Sequence, residues 1–164
     1  MKKLIQKLAV GIVTVTVIVG MMIPTMAANT SDTYISSFNV PVSTVFTVYH
    51  TPREKQDSTP LYVELTSTLH GTVKAQARGM SYTAWMQGDL PSTLNTANAT
   101  LGSSGEYKEY VLLDPGFDYS IRSFVYEDGY AFATLGFRAY HNNQSEVVSG
   151  WWSPDSAYPH QYAN

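Results

Sequence analysis

The chain has 164 residues, 44% of them hydrophobic and 13% aromatic, with no cysteine and a formal net charge of −3. The lack of cysteine excludes disulfide staples, thiol catalysis, thiolate metal sites and lipidation at a lipobox cysteine. If residues 1–27 are removed, seven basic residues stand against thirteen acidic ones, a net −6; that balance excludes nucleic acid as a partner, since phosphate binding needs clustered Lys and Arg.

Residues 1–27 read as a secretory signal peptide. Lys2, Lys3 and Lys7 give a positive start, residues 8–23 are apolar apart from two threonines and some glycines, and Thr25-Met26-Ala27 offers small residues for cleavage. The apolar run is short of the roughly 20 residues that a spanning helix needs. Cleavage is therefore expected over a membrane anchor. It leaves one secreted, extracellular domain of 137 residues with no integral membrane segment. A cysteine-free chain with a lysine-rich leader fits bacterial export.

Residues 28–37, rich in Asn, Thr and Ser, are expected as a flexible lead-in, residues 38–153 as the domain, and residues 154–164 as a polar C-terminal tail. Residues 40–49 carry the Val, Thr and aromatic content of a strand, with Pro41 placing it at an edge. Residues 50–60, with Pro52 and Pro60, form a loop. Residues 61–78 alternate throughout: Leu61, Val63, Leu65, Ser67, Leu69, Gly71, Val73, Ala75 and Ala77 on one side, Tyr62, Glu64, Thr66, Thr68, His70, Thr72, Lys74, Gln76 and Arg78 on the other. A turn at Leu69-His70-Gly71 predicts a hairpin with Leu65 facing Ala75 and Glu64 diagonal to Lys74; the alternative is one long strand bent at Gly71. Residues 81–87 suggest another strand. Residues 92–104 fit a weak edge strand or a long loop, residues 107–113 a strand, and Asp114-Pro115-Gly116 a turn.

Residues 117–140 predict the central hairpin. With Glu127, Asp128 and Gly129 as its loop, odd positions face odd positions. Phe117, Tyr119, Ile121, Val125, Ala131, Ala133, Leu135, Phe137 and Ala139 then share an inward face, and Asp118 lies opposite Arg138. After a turn at residues 141–144, residues 147–152 make the last strand. Seven to nine short strands and no amphipathic helix beyond the leader predict an all-β antiparallel sandwich, with a partly open barrel as the variant.

The segment at residues 133–156, ATLGFRAYHNNQSEVVSGWWSPDS, resembles the C-terminal end of an uncharacterised family of small, cysteine-free secreted β proteins of Gram-positive bacteria. That resemblance covers the last third, ending in S-G-W-W, and the layout of residues 61–78. It implies a signal peptide before one β domain and supplies no catalytic residues. The layout is also similar to the lactococcin-type bacteriocins, by architecture alone.

Aromatic residues are the candidate site. The outward side of the central hairpin would carry Phe124, Tyr126, Tyr130 and Phe132, pairing as Tyr126–Tyr130 and Phe124–Phe132. Trp151 and Trp152 are adjacent and must point to opposite faces of their strand. Two readings stand: a platform for a sugar or a partner protein, or a second core layer beneath residues 92–104. His50, His70, His141 and His160 are far apart in sequence, and no metal or other cofactor is expected. The acidic residues Glu106, Glu109, Asp114, Glu127 and Asp128 are largely explained by turns, and no catalytic or calcium-binding motif is present. The expectation is a non-enzymatic binding protein whose partner is a cell-envelope component or another protein. The alternatives are a bacteriocin-like or signalling factor, and a carbohydrate hydrolase built on two of Asp114, Glu127, Asp128 and Glu146.

Overall fold

Alternating strands turn one side to the core from two facing sheets, and the strands Val73–Met80 and Phe132–Ala139 are buried on both sides. The computed structural model describes residues 29–157 and 160–164; the expected leader lies outside the described residues. One sheet contains β1 (Thr33–Val40), β4 (Leu61–Thr68), β8 (Asp118–Ile121), β10 (Glu146–Ser153) and β11 (Gln161–Tyr162) in the order β1-β10-β4-β8-β11. The other has β2 (Thr47–Val48), β9 (Phe132–Ala139), β5 (Val73–Met80) and β6 (Thr96–Asn98) in that order, with β3 (Arg53–Glu54) on β9 and β7 (Val111–Leu113) on β5. The all-β sandwich is the fold.

The inward residues are those that alternation picks out. Leu61, Val63, Leu65, Val73, Ala75, Ala77, Ile121, Val125, Ala133, Leu135 and Phe137 are fully buried, with Tyr119 and Ala139 nearly so. On the predicted hairpin face the exceptions are Phe117, at 56% exposed, and half-buried Ala131.

Neither predicted hairpin forms. β4 and β5 lie in different sheets, as do β8 and β9. Leu65 pairs with Gly150, and Ala75 with Phe137 and Val111. Asp118 pairs with Glu64 and Arg138 with Lys74, so Asp118 and Arg138 are not partners. Both glycine turns are arches between the layers. At the second, Tyr130 N–H donates to Val125 O and Gly129 N–H to Tyr126 O, each at 3.0 Å, and Gly129 has φ +76°. That pattern ends a helical turn with a left-handed glycine. At the first, Thr68 Oγ1 donates to Gly71 O (2.6 Å) and accepts from Gly71 N–H (3.0 Å), with Gly71 at φ +97°. Alternation survives an arch as well as a hairpin, since each keeps one side of the chain turned inward.

Several boundaries differ from expectation: the strand expected over residues 40–49 is only β2, and the loop expected over residues 50–60 contains β3. The lead-in contains β1, which begins at Thr33 and pairs with β10 through a bulge between Ile35 and Phe38. The bulge breaks the alternation that would have revealed the strand. Residues 81–87 contain a short helix, α1 (Tyr82–Met86), whose N-cap Ser81 accepts from Ala84 N–H at 3.2 Å. The polar tail docks: Ala163 N–H donates to Ser120 O and Leu112 N–H to Asn164 O, setting β11 parallel to β8.

Candidate functional site

The six aromatic candidates do not assemble into one surface. Because β8 and β9 sit in separate sheets, Phe124 and Phe132 are not cross-strand partners, nor are Tyr126 and Tyr130. Phe124 packs on the core edge beside Tyr107, with ring centroids 5.3 Å apart. Tyr130 lies over Gly79, where a Cβ would meet its ring at 2.3 Å, and packs against the core. Tyr126 is exposed at the arch. Trp152 is fully buried, edge-on to Tyr49 at 6.4 Å, while its neighbour Trp151 faces solvent.

Phe132 joins a group that sequence reasoning missed. Met80 pairs directly with Thr96, so a two-residue turn would connect β5 to β6. The chain instead inserts residues 81–95, with α1 at their head. None of the α1 residues is buried. Trp85 stacks on Phe132 at 4.9 Å and 23°, and Tyr82 lies 6.4 Å from the same ring at 15°. Met86, Leu90 and Leu94 of the same insertion are 60%, 75% and 97% exposed. Asp89 is the one charged residue in residues 81–95. This is a nearly uncharged apolar corner held out from the sandwich. The sequence signal was available: four large apolar side chains in a segment with no sustained alternation.

A second surface lies on the outside of the five-stranded sheet. Register places Tyr34, Trp151, Glu64 and Asp118 side by side across β1, β10, β4 and β8. Tyr34 and Trp151 have centroids 4.8 Å apart. Tyr62 donates to Glu64 at 3.1 Å, His160 lies 4.7 Å from the Tyr62 ring, and His160 Nδ1 is 2.6 Å from Asp118 Oδ2. Burial, then the hydrogen bond and charge of Glu64, push the Tyr62 hydroxyl well up. The His160 hydrogen bond, aided by backbone N–H, holds the Asp118 carboxyl below the usual range. That is opposite to what a general acid requires. An adjacent cavity of about 270 Å³ is lined by Asp32, Tyr62, Ser153 and His160 among others.

The carboxylates proposed for hydrolysis are dispersed. Asp114 accepts from Thr72, Asp128 accepts from Tyr107, Glu127 is exposed, and buried Glu146 accepts N–H bonds from Leu69, His70 and Val147. Glu106 and Glu109 pair with Lys108 and Arg138. His50 packs on Phe38, whereas His70, beside Glu146, and His141, on Tyr140, line one cavity of about 240 Å³. Among the described residues, no group of three or more His, Asp and Glu side chains is placed to hold a metal ion.

Residues 23–156 match a family model described as a protein of unknown function. No curated protein and no solved structure matches the chain.

Proposed function

The chain belongs to the DUF2712 family, and we propose that it is an exported, non-enzymatic binding protein that docks through the α1 corner onto an apolar surface of an envelope component or another protein. One observation carries this reading: the β5–β6 connection presents Tyr82, Trp85, Met86, Leu90 and Leu94 to solvent while α1 buries nothing in the core. Exposed apolar clusters of this kind mark interaction sites, and loops longer than their connection requires carry function more often than stability. The chain's negative charge opposes long-range attraction to anionic envelope polymers, so contact rests on short-range apolar burial.

The test is retention of the purified protein on isolated cell walls and membranes, with Trp85→Ala/Met86→Ser as the variant. Retention should fall by about tenfold or more, the loss of one buried aromatic anchor, with an unchanged circular dichroism spectrum. Equal retention of variant and wild type would refute the α1 reading.

The outer face of the five-stranded sheet supports a second reading, a glycan platform. Aromatic rings beside hydrogen-bonding carboxylates on a flat sheet are suited to a sugar's apolar face and hydroxyls. Trp151→Ala should then weaken binding to soluble cell-wall oligosaccharides and leave the α1-dependent retention intact. Titration with those oligosaccharides that moves no Trp151 signal rules the platform out.

A further inference from the structure

Lys55 and Asp155 are a hundred residues apart in sequence and meet in the interior. The side chain of Lys55 is 1% exposed and that of Asp155 is fully buried. Lys55 Nζ lies 2.5 Å from Asp155 Oδ1 and donates to Thr59 O at 2.6 Å. Asp155 Oδ2 accepts from the backbone N–H of Asn29 at 2.8 Å and of Gln56 at 3.3 Å. Asp57 Oδ1 stands 3.7 Å from the same Nζ and accepts from Thr59 N–H at 2.8 Å. Partial burial raises the Asp57 carboxyl, but the hydrogen bonds from Thr59 and the charge of Lys55 outweigh it and hold the group low, so that it starts as a base.

We propose that this cluster is the site of an intramolecular isopeptide bond between Lys55 Nζ and Asp155 Cγ, with Asp57 carrying the proton. Each contact has a part in the condensation. The reaction starts from the neutral form of the pair, reached when one proton passes from Nζ to Asp155 Oδ1 along their hydrogen bond. The amine lone pair then attacks Cγ. The C–N bond forms and the carbonyl electron pair moves onto Oδ2, where the Asn29 and Gln56 N–H groups already point, as in an oxyanion hole. Asp57 takes a proton from the new ammonium and returns it to the Oδ1 hydroxyl, which leaves as water. Oδ2 becomes the amide carbonyl, and the nitrogen keeps one hydrogen. No oxidant or cofactor is needed: an ammonium and a carboxylate become an amide and water. The bond would tie the segment after β3 to the segment after β10, serving a cysteine-free chain as a disulfide serves others.

Intact mass spectrometry of the folded, purified full chain decides it. The expected mass is one water below that of the processed sequence, and tandem spectra should show a branched peptide joining Lys55 to Asp155. Lys55→Arg should restore the full mass. Asp57→Asn should keep the fold and slow the loss of water by about a hundredfold, as removal of a proton carrier does. A folded wild type at full mass overturns the bond. So does water loss that persists in Lys55→Arg, which would mark a cyclic imide at Asp155. Water loss in Asp57→Asn at the wild-type rate removes Asp57 from the mechanism.

Discussion

Gly150 sits where β10 slips its register against β4, and a Cβ there would stand 2.0 Å from Glu64 O and 3.0 Å from Leu65 Cα. The neighbours are backbone and cannot turn aside. Ser149, beside it, accepts from Ser37 N–H at 3.1 Å, and the two tryptophans that follow take opposite faces. The S-G-W-W stretch thus has a physical meaning: a closely approached strand with one ring inside and one outside. Gly150→Ala should cost about 3 kcal/mol or more through forced strand separation, seen as a lower urea midpoint. Gly129 makes the contrast. Nothing lies within 4 Å of its added Cβ, so Gly129→Ala meets only the left-handed backbone penalty of about 1–2 kcal/mol. Asp118 gives the pH test. Its depressed folded pKa means that its contribution is present above the unfolded value of about 3.9 and is lost as pH falls through the lower folded value. The stability gap between wild type and Asp118→Asn should therefore close below about pH 4, and it should be modest, as the group is mostly exposed.

At the scale of elements, the two arches decide what could be read in advance. Buried Glu146 reaches from the first residue of β10 to the N–H groups of Leu69 and His70 and fixes the β4–β5 arch. Glu146→Ala leaves those donors unpaired, which should cost about 2–3 kcal/mol, and amide hydrogen exchange at Leu69 and His70 should accelerate before the strands do. The period of two told which side chains of residues 61–65 and 73–77 face inward, and they do, whereas Ser67 and Leu69, on the same side by alternation, are exposed. It carried no information about the partner strand. A hairpin and an arch present the same alternation, differing only in whether the backbone bonds to its own neighbour or to a distant strand. The pairing of Leu65 with Gly150 rather than with the opposite arm is a long-range choice made by the whole core. β1 was missed for a local reason, its bulge. α1 was missed because Ser81 caps a segment whose aromatic content favours strands.

Taken whole, the described chain crosses between its sheets at six of the ten connections between consecutive strands, and sequence-adjacent pairing is left to β5 and β6, with β7 also on β5. The candidate site sits on that one local hairpin, outside the interleaved core. The basic residues that look scattered in sequence partly gather on the outer face of β5 and β9. There Arg138 stacks on Phe46 at 4.6 Å, and Lys74 lies 5.1 Å from the Tyr110 ring. Arg78 donates to Thr96 and Gln76 and is 7% exposed. These cations are engaged by aromatic rings and by hydrogen bonds within the sheet. Stability and recognition are thereby separated in space, and the separation can be measured. Replacing residues 81–95 by Asn-Gly joins Met80 to Thr96 through a two-residue hairpin turn. It removes Tyr82 and Trp85 from Phe132 and the Ser92 carbonyl from Thr96 N–H. Of the residues it removes, Pro91 alone is buried. The shortened chain should unfold cooperatively within about 2 kcal/mol of wild type, since a shorter loop costs less to close. Retention on walls and membranes should meanwhile drop to background. A chain that unfolds on this replacement would make the α1 segment part of the scaffold, and its exposed side chains would then need a different account.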